Sequence, residues 1–397
     1  MKRILCLLLA LSSRLLFAAW EGKYDLEALP LPNPDFKVMF VAKEPELMHE
    51  VCMCFDKKGN LMLGGGAQFR WPLPETPKDK IKILIDKDGD GKPDEIKIFA
   101  EGFNCIQAMA WKGDDLWVCH CPDVTIVRDL DGDGVADEFV DVFTGLGPLR
   151  HGCHGFNWGP DGKLYMSQGN NTCTKDAPKP WRDLMHVTSD SPDIQTMHKY
   201  TKAEWKSHYL KPYNDESEGG VLRCDADGTG LEIFARGMRN PWDIAFDPEF
   251  NWVGGDNDDG PEHDRVFGFY HGANMGHRHP WNKSWTGDNA PGVAPSSVLF
   301  AAADGSAVGT VFYNSDHFPP QYRNGFFMGD SDGEKVYFFR PEWDGASRKI
   351  KLETFMHTAQ IGRSALFMPT DVEVGPDGAL YVISWGSTFG SKWAPYH

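Results

Sequence analysis

The sequence predicts an all-β fold, a six-bladed β-propeller, and three observations predict it. Gly (42), Pro (27) and Trp (14) are plentiful in the 397 residues, while long runs with helical period are scarce, which favours short strands and turns. One phrase, an apolar strand, a short polar turn and a second apolar strand, recurs six times. The hydrophobic share, 41%, is enough for a sizeable core and argues against disorder.

The copies run in order along the chain. They are "VCMCFDKKGNLMLGG" (51–65), "MAWKGDDLWVCH" (109–120), "FNWGPDGKLYMSQG" (156–169), "IAFDPEFNWVGGD" (244–256), "FYNSDHFPPQYRNGFFMGD" (312–330) and "VEVGPDGALYVISWG" (372–386). Each reads as a hairpin of period-two strands around a polar turn. Six such units point to a closed array, because one blade cannot bury both faces alone. A β-sandwich array is the alternative, and it does not explain similar hairpins separated by unequal loops. The segment "FKVMFVA" (36–42) reads as a strand without a hairpin partner, expected to complete the last blade as a clasp. Two long segments, about 172–218 and 277–295, are expected to be aromatic caps over one face.

Residues 1–19, "MKRILCLLLALSSRLLFAA", have a basic start, an apolar middle and a small-residue end. They read as an export signal, leaving residues 20–397 as the propeller in a periplasmic or secreted protein. No later stretch is long and apolar enough to span a membrane. Removing Lys2, Arg3 and Arg14 would deepen the formal charge from −17 to −20. Such a surface repels nucleic acid and suits calcium and neutral substrates. For an exported chain the eight cysteines beyond Cys6 suggest disulfides, although those at strand starts, such as Cys52, Cys105 and Cys153, could equally be small core residues. Cys-x-x-Cys spacing, whether for zinc or for covalent haem, is absent.

Two acidic stretches, "DKDGDGKPDE" (86–95) and "DLDGDGVADE" (129–138), repeat 43 positions apart. Aspartates at alternating positions with glycines between them converge carboxylates, which makes Asp86, Asp88, Asp90, Asp94, Asp129, Asp131, Asp133 and Asp137 candidate calcium ligands. The Glu at loop position 12 is missing, so these are not EF-hands. A plain solvated turn is the competing reading.

"HGCHGFNWGPDGKL" (151–164) sets two histidines before Gly-Pro-Asp-Gly. Three-residue spacing on a strand turns them to opposite faces, which argues against a shared metal. A metal site, a catalytic base with a neighbour and ordinary polar residues at a strand start all remain open on this spacing.

Taken with "ARGMRNPWDIAFDPEFNWVGGDNDDGPEHDRVFGFYHGANMGH" (235–277), "FKVMFVAKEPEL" and "PTDVEVGPDGALYV", that stretch resembles the soluble PQQ-dependent aldose and sorbosone dehydrogenases. The planctomycete–verrucomicrobial "membrane-bound dehydrogenase" propellers are the nearest in look. The resemblance covers nearly all of residues 20–397 and implies a quinoprotein that oxidises a sugar or alcohol with pyrroloquinoline quinone (PQQ) and calcium on one face. It implies His151 as general base, with His154 as the other candidate. It places Arg239 and Asn240 against the quinone, Gly260 and Pro261 on calcium through their carbonyls, and Asp264 behind the histidine. Lys335 and Arg363 are further cations for the quinone's acidic groups, and a cytochrome is a candidate electron acceptor.

The chain departs from the pattern at Met368, where such enzymes carry arginine. One lost cation is worth about 1–3 kcal/mol of charge-assisted bonding. Relatives often continue into a haem domain, whereas this chain stops at His397, as expected of a shortened member. Two alternatives follow. One is a calcium-stabilised propeller that binds carbohydrate or protein without redox chemistry. The other is a calcium-dependent lactonase or esterase, with Asn240 and Asp256 as contributing ligands.

Overall fold

The computed structural model describes residues 30–43, 46–47, 49–66, 79–120, 123–144, 146, 151–169, 219–257, 264–275, 299–345, 347–357 and 367–385. The first blade is β1 (Glu50–Phe55), β2 (Leu61–Gly65), β3 (Asp79–Ile85) and β4 (Glu95–Phe103). The second is β5 (Ile106–Lys112), β6 (Asp115–His120), β7 (Asp123–Arg128) and β8 (Glu138–Thr144). The third is β9 (Cys153–Trp158), β10 (Leu164–Gln168), β11 (Gly219–Cys224) and β12 (Glu232–Met238). The fourth is β13 (Pro241–Phe246), β14 (Trp252–Asp256), β15 (Asp264–Phe269) and β16 (Leu299–Ala303). The fifth is β17 (Ala307–Tyr313), β18 (Gly325–Asp330), β19 (Lys335–Phe339) and β22 (Glu353–His357), with a small hairpin, β20 (Glu342–Asp344) and β21 (Ser347–Lys349), inserted before its last strand. A two-stranded sheet, β23 (Pro369–Val374) and β24 (Leu380–Ser384), follows.

All six hairpins of the repeated phrase form, each antiparallel. Among the described residues five extend into four-stranded blades, so the expected count of six full blades is corrected to five plus a two-stranded sheet. The segment 36–42 carries no strand. Its side chains are nevertheless in use. Phe36 and Val38 pack in one cluster with Val372, Val374, Leu380 and Val382, and Val41 and Ala42 pack in another with Tyr381 and Ile383. Packing without a ladder is the outcome when apolar anchoring does not require pairing.

The turns explain the repeat. In the first hairpin Asp56 accepts the amides of Lys58 and Asn60, and Gly59 follows at φ 87°. Gly162 (φ 82°) and Gly378 (φ 80°) hold the same place in two other hairpins. In the fourth blade Phe250 takes it at φ 65°, a costly position for an aromatic residue. Ring packing against Phe246 and Trp252 offsets that cost.

The core lies between blades. Trp117, Phe143, Phe156 and Leu164 join the second and third, and Tyr165, Phe234, Trp252 and Phe267 join the third and fourth. Each such side chain fully removed from water contributes about 1.5–3 kcal/mol. The cysteines serve this packing. Cys52, Cys54, Cys105, Cys119, Cys153 and Cys224 are free thiols, five of them buried, which corrects the expectation of disulfides among the described residues. Burial, with nearby carboxylates, pushes the Cys52 and Cys54 thiols well up.

Every innermost strand slips register near its start, as between Pro241 and Ile244 in β13 and between Pro369 and Asp371 in β23. Bulges leave amides without ladder partners. Two aspartates take them up. Asp243 accepts its own neighbour Ile244 N at 2.8 Å and Thr310 N of the next blade at 2.8 Å. Asp371 accepts Val372 N at 2.8 Å and Met53 N of the first blade at 2.7 Å. The two-stranded sheet therefore sits between the fifth and first blades and joins the ends of the ring.

Candidate active site at the blade mouths

The innermost strands all begin on one face of the ring, and His151, His154, Arg239, Asn240, Asp256 and Asp264, all buried, lie at or near strand ends on that face. His151 is buried just ahead of β9. The Gly169 amide donates to the Gly152 carbonyl at 2.8 Å, pinning this segment to the end of β10. A Cβ on Gly169 would stand 2.7 Å from the His151 Cα and 2.4 Å from the Asn240 Oδ1. Only glycine therefore lets the third and fourth blades bring His151 and Asn240 to the same spot.

His154 lies one step inside, fully buried. Its Nε2 is 2.9 Å from the Asn240 Oδ1, and its ring stacks on Trp242 with centroids 4.4 Å apart. A carbonyl oxygen accepts, so Nε2 carries the proton and Nδ1 the lone pair. That Nδ1 has no partner among the described residues. Burial lowers the His154 pKa to about 4, so the ring is neutral at ordinary pH. The two histidines thus differ: His154 is a buried partner of Asn240, and His151 stands at the mouth.

Arg239 and Asn240 owe their positions to Asp256, the last residue of β14. Its carboxylate accepts Arg239 N at 3.1 Å and Asn240 N at 2.7 Å. It also pairs with Arg265 at 2.9 Å, both side chains buried. Arg265 in turn donates to the carbonyls of Met275 (2.6 Å) and Gly237 (3.1 Å). The Arg239 guanidinium donates through Nη1 to Asn257 Oδ1 at 2.8 Å and to Asn257 O at 3.0 Å. Asn257 Nδ2 reaches Asp264 Oδ2 at 3.2 Å, and Asp264 also accepts Ala307 N at 2.9 Å. Through Asn257, Asp264 buttresses Arg239.

Lys335 opens β19 and pairs with Asp304. The loop carrying Asp304 is held by Asp330, which accepts Asp304 N at 3.0 Å and Gly305 N at 3.1 Å. Burial raises the Asp330 pKa to about 6. Met368 is buried at 4% exposure, immediately before β23. Gly260, Pro261, Arg363 and the expected caps at 172–218 and 277–295 lie outside the described residues.

The acidic turns sit on the opposite side of the ring, joining the outer strand pairs β3–β4 and β7–β8. They fold alike. Asp86 accepts the amides of Gly89 and Gly91, and Asp129 those of Gly132 and Gly134. Oxygens of Asp86, Asp88 and Asp90 lie within 4.8 Å of one another, as do those of Asp129, Asp131 and Asp137. Asp133 instead accepts Val135 N, and Asp94 and Asp137 accept Lys87 N and Leu130 N.

Arg265, Asn257, Trp242 and Gly169 escape sequence reasoning. For Arg265 the signal is the cross-strand register, in which it faces Asp256.

The family described as Domain of unknown function (DUF7133) matches residues 25–209 and 193–388. The chain belongs to this family. No curated protein matches it. Among solved structures, the PQQ-bound aldose sugar dehydrogenase of Streptomyces coelicolor superposes with a TM-score of 0.57 at 14% identity, covering 90% of this chain and 91% of that one. The soluble aldose sugar dehydrogenase of Escherichia coli, in its apo form, gives 0.56 at 16% identity over 86% and 95%. The holo PQQ domain of the pyranose dehydrogenase from Coprinopsis cinerea gives 0.60 at 11% identity over 91% and 95%. At these identities the common property is the propeller fold, and this DUF7133 member shares it.

Proposed function

We propose that this DUF7133 protein is a quinoprotein dehydrogenase that oxidises a sugar or alcohol with PQQ and calcium at the blade mouths. The observation that carries the reading is the convergence, around Gly169, of His151 from the third blade and Asn240 from the fourth. The donor set fits an anionic planar group. It offers the Arg239 guanidinium, anchored at one end by Asn257, the Asn240 amide and the Lys335 amine, beside the half-buried Trp242. The quinone would supply the hydride acceptor.

His151 would hold the proton taken from the substrate hydroxyl. Asn240, its carbonyl engaged by His154, presents its amide N–H groups as donors. Arg239, Lys335 and Arg363 would balance the acidic groups of the quinone. Carbonyls of Gly260 and Pro261 would hold a calcium ion, and the acidic turns two structural ones. The soluble aldose sugar dehydrogenases that share the fold support a sugar as substrate. Asn240 and Asp256 use their side-chain oxygens on His154, Arg265 and backbone amides, which favours the dehydrogenase over a lactonase.

Three further elements belong to this reading. Residues 1–19 direct export, a cytochrome takes the electrons, and 36–42 joins the β23–β24 sheet through its apolar side chains. The test is titration of the purified protein with PQQ and calcium, followed by dye-coupled assay with aldoses and alcohols. Saturable PQQ binding with activity is expected. Absence of PQQ binding by calorimetry would overturn the reading and leave a binding propeller.

A further inference from the structure

The mouth of the second blade brings one imidazole and two carboxylates together, none of them among the residues gathered around Gly169. His120 ends β6 and Asp123 begins β7, and the two face each other across the hairpin. Asp141 comes from β8, opposite Thr125. One ligand-type atom of each lies within 4.8 Å of the other two. His120 (5% exposed) and Asp123 (2%) are buried and Asp141 is exposed, so the cluster is walled on the protein side and open to water on the other.

Thr125 orders the group. Its buried hydroxyl donates to Asp141 Oδ1 at 2.7 Å and lies 2.9 Å from His120 Nε2. A hydroxyl has one proton and a carboxylate only accepts. Thr125 must therefore accept from the Nε2–H of His120, which fixes the tautomer with the lone pair on Nδ1. Such outer hydrogen bonds orient ligands at metal centres. The Phe103 ring, centroid 4.9 Å from His120, adds a rigid wall.

We propose that His120, Asp123 and Asp141 form a divalent transition-metal site, with zinc as the ion. One imidazole nitrogen and two carboxylate oxygens make a donor set that zinc accepts, whereas calcium prefers six to eight oxygens. Three protein ligands with a solvent-facing side leave a coordination position for water. The site does not depend on the quinoprotein reading.

The test is zinc binding to the whole protein by calorimetry, with millimolar calcium present to occupy the acidic turns. Stoichiometric binding is expected. Asp141→Asn, at an exposed position and still able to accept from Thr125, should weaken it by at least about tenfold, since even outer-shell losses cost 10–100-fold. Cobalt added in place of zinc should give the visible absorption of a low-coordinate site in the wild type. No zinc binding, affinity unchanged in Asp141→Asn, or a cobalt spectrum like that of the free ion would overturn the proposal and leave a hydrogen-bonded clamp.

Discussion

Asp243 Oδ2 accepts the amide of Thr310 at 2.8 Å across the boundary between the fourth and fifth blades. Small residues make room for it. A Cβ on Gly155 would fall 1.9 Å from the Asp243 Oδ1 and 2.8 Å from its Cα, and a Cβ on Gly309 would fall 2.5 Å from the Cα of Asp371. Two carboxylates bridging blades around the axis thus require glycine beside them. Gly155→Ala should destabilise the fold by about 1–3 kcal/mol, as overpacking does. Urea unfolding checks this, and an unchanged midpoint would contradict it.

The bridging carboxylates also set a pH dependence. Burial, and then the charge of Asp371, raises the Asp243 pKa well above the ordinary range, and burial raises that of Asp371. Glu373 is raised by burial and by both aspartates, and Cys52 and Cys54 face the same group. A folded pKa above the unfolded one means the fold holds the proton longer. The stabilising contribution is full below about pH 4 and is lost as pH rises through the raised values. Asp243→Asn removes an amide acceptor and also the repulsion. Its stability deficit against wild type should therefore shrink between pH 5 and 8, and a widening deficit would contradict the assignment.

For the histidines, His151→Gln should keep the fold and lower any dehydrogenase rate by at least ~100-fold. His154 should show no proton titration between pH 5.5 and 9 in the folded protein, because its pKa is lowered to about 4. Its depressed pKa contributes stability present above about pH 6.5 and lost as pH falls toward 4. Imidazole NMR resonances resolve the question, and a His154 midpoint near 6.5 would exclude the buried, neutral state.

Breaking the Asp256–Arg265 pair from one side should be severe. Arg265→Met leaves a buried carboxylate with two amide donors and no cation, at a cost of about 3–5 kcal/mol. The same variant should loosen Arg239 and Asn240. PQQ affinity, measured on protein that melts above assay temperature, should then fall with stability. Retained affinity would show that Asp256 alone suffices.

Chelation should lower the melting temperature, and Asp88→Asn with Asp131→Asn should remove much of that response. A melting curve indifferent to chelator would make both turns plain solvated hairpins.

The six hairpins were legible because period-two strands and Asp–Gly turns are local signals. That 36–42 carries no strand was not legible, since Phe36 and Val38 are as apolar in a packed segment as in a strand. Cysteine count suggested disulfides, but Cys52, Cys105 and Cys153 are buried as small core residues beside closely packed strands. At the site, His151, Arg239 and Asn240 were reached only through the resemblance to the PQQ-dependent dehydrogenases. Asp371 and Met53 were not reached, because nothing local in either strand says that one accepts the amide of the other across the ring.

That last contact links positions 318 residues apart. Loop closure costs grow only with the logarithm of length, so the seam is affordable at equilibrium, but pairings so distant form slowly. During synthesis the first blade has no neighbour on one flank until residues 369–374 emerge. The interval is one of exposed apolar sheet face, when the chain is most open to chaperones, to proteases and to other copies of itself.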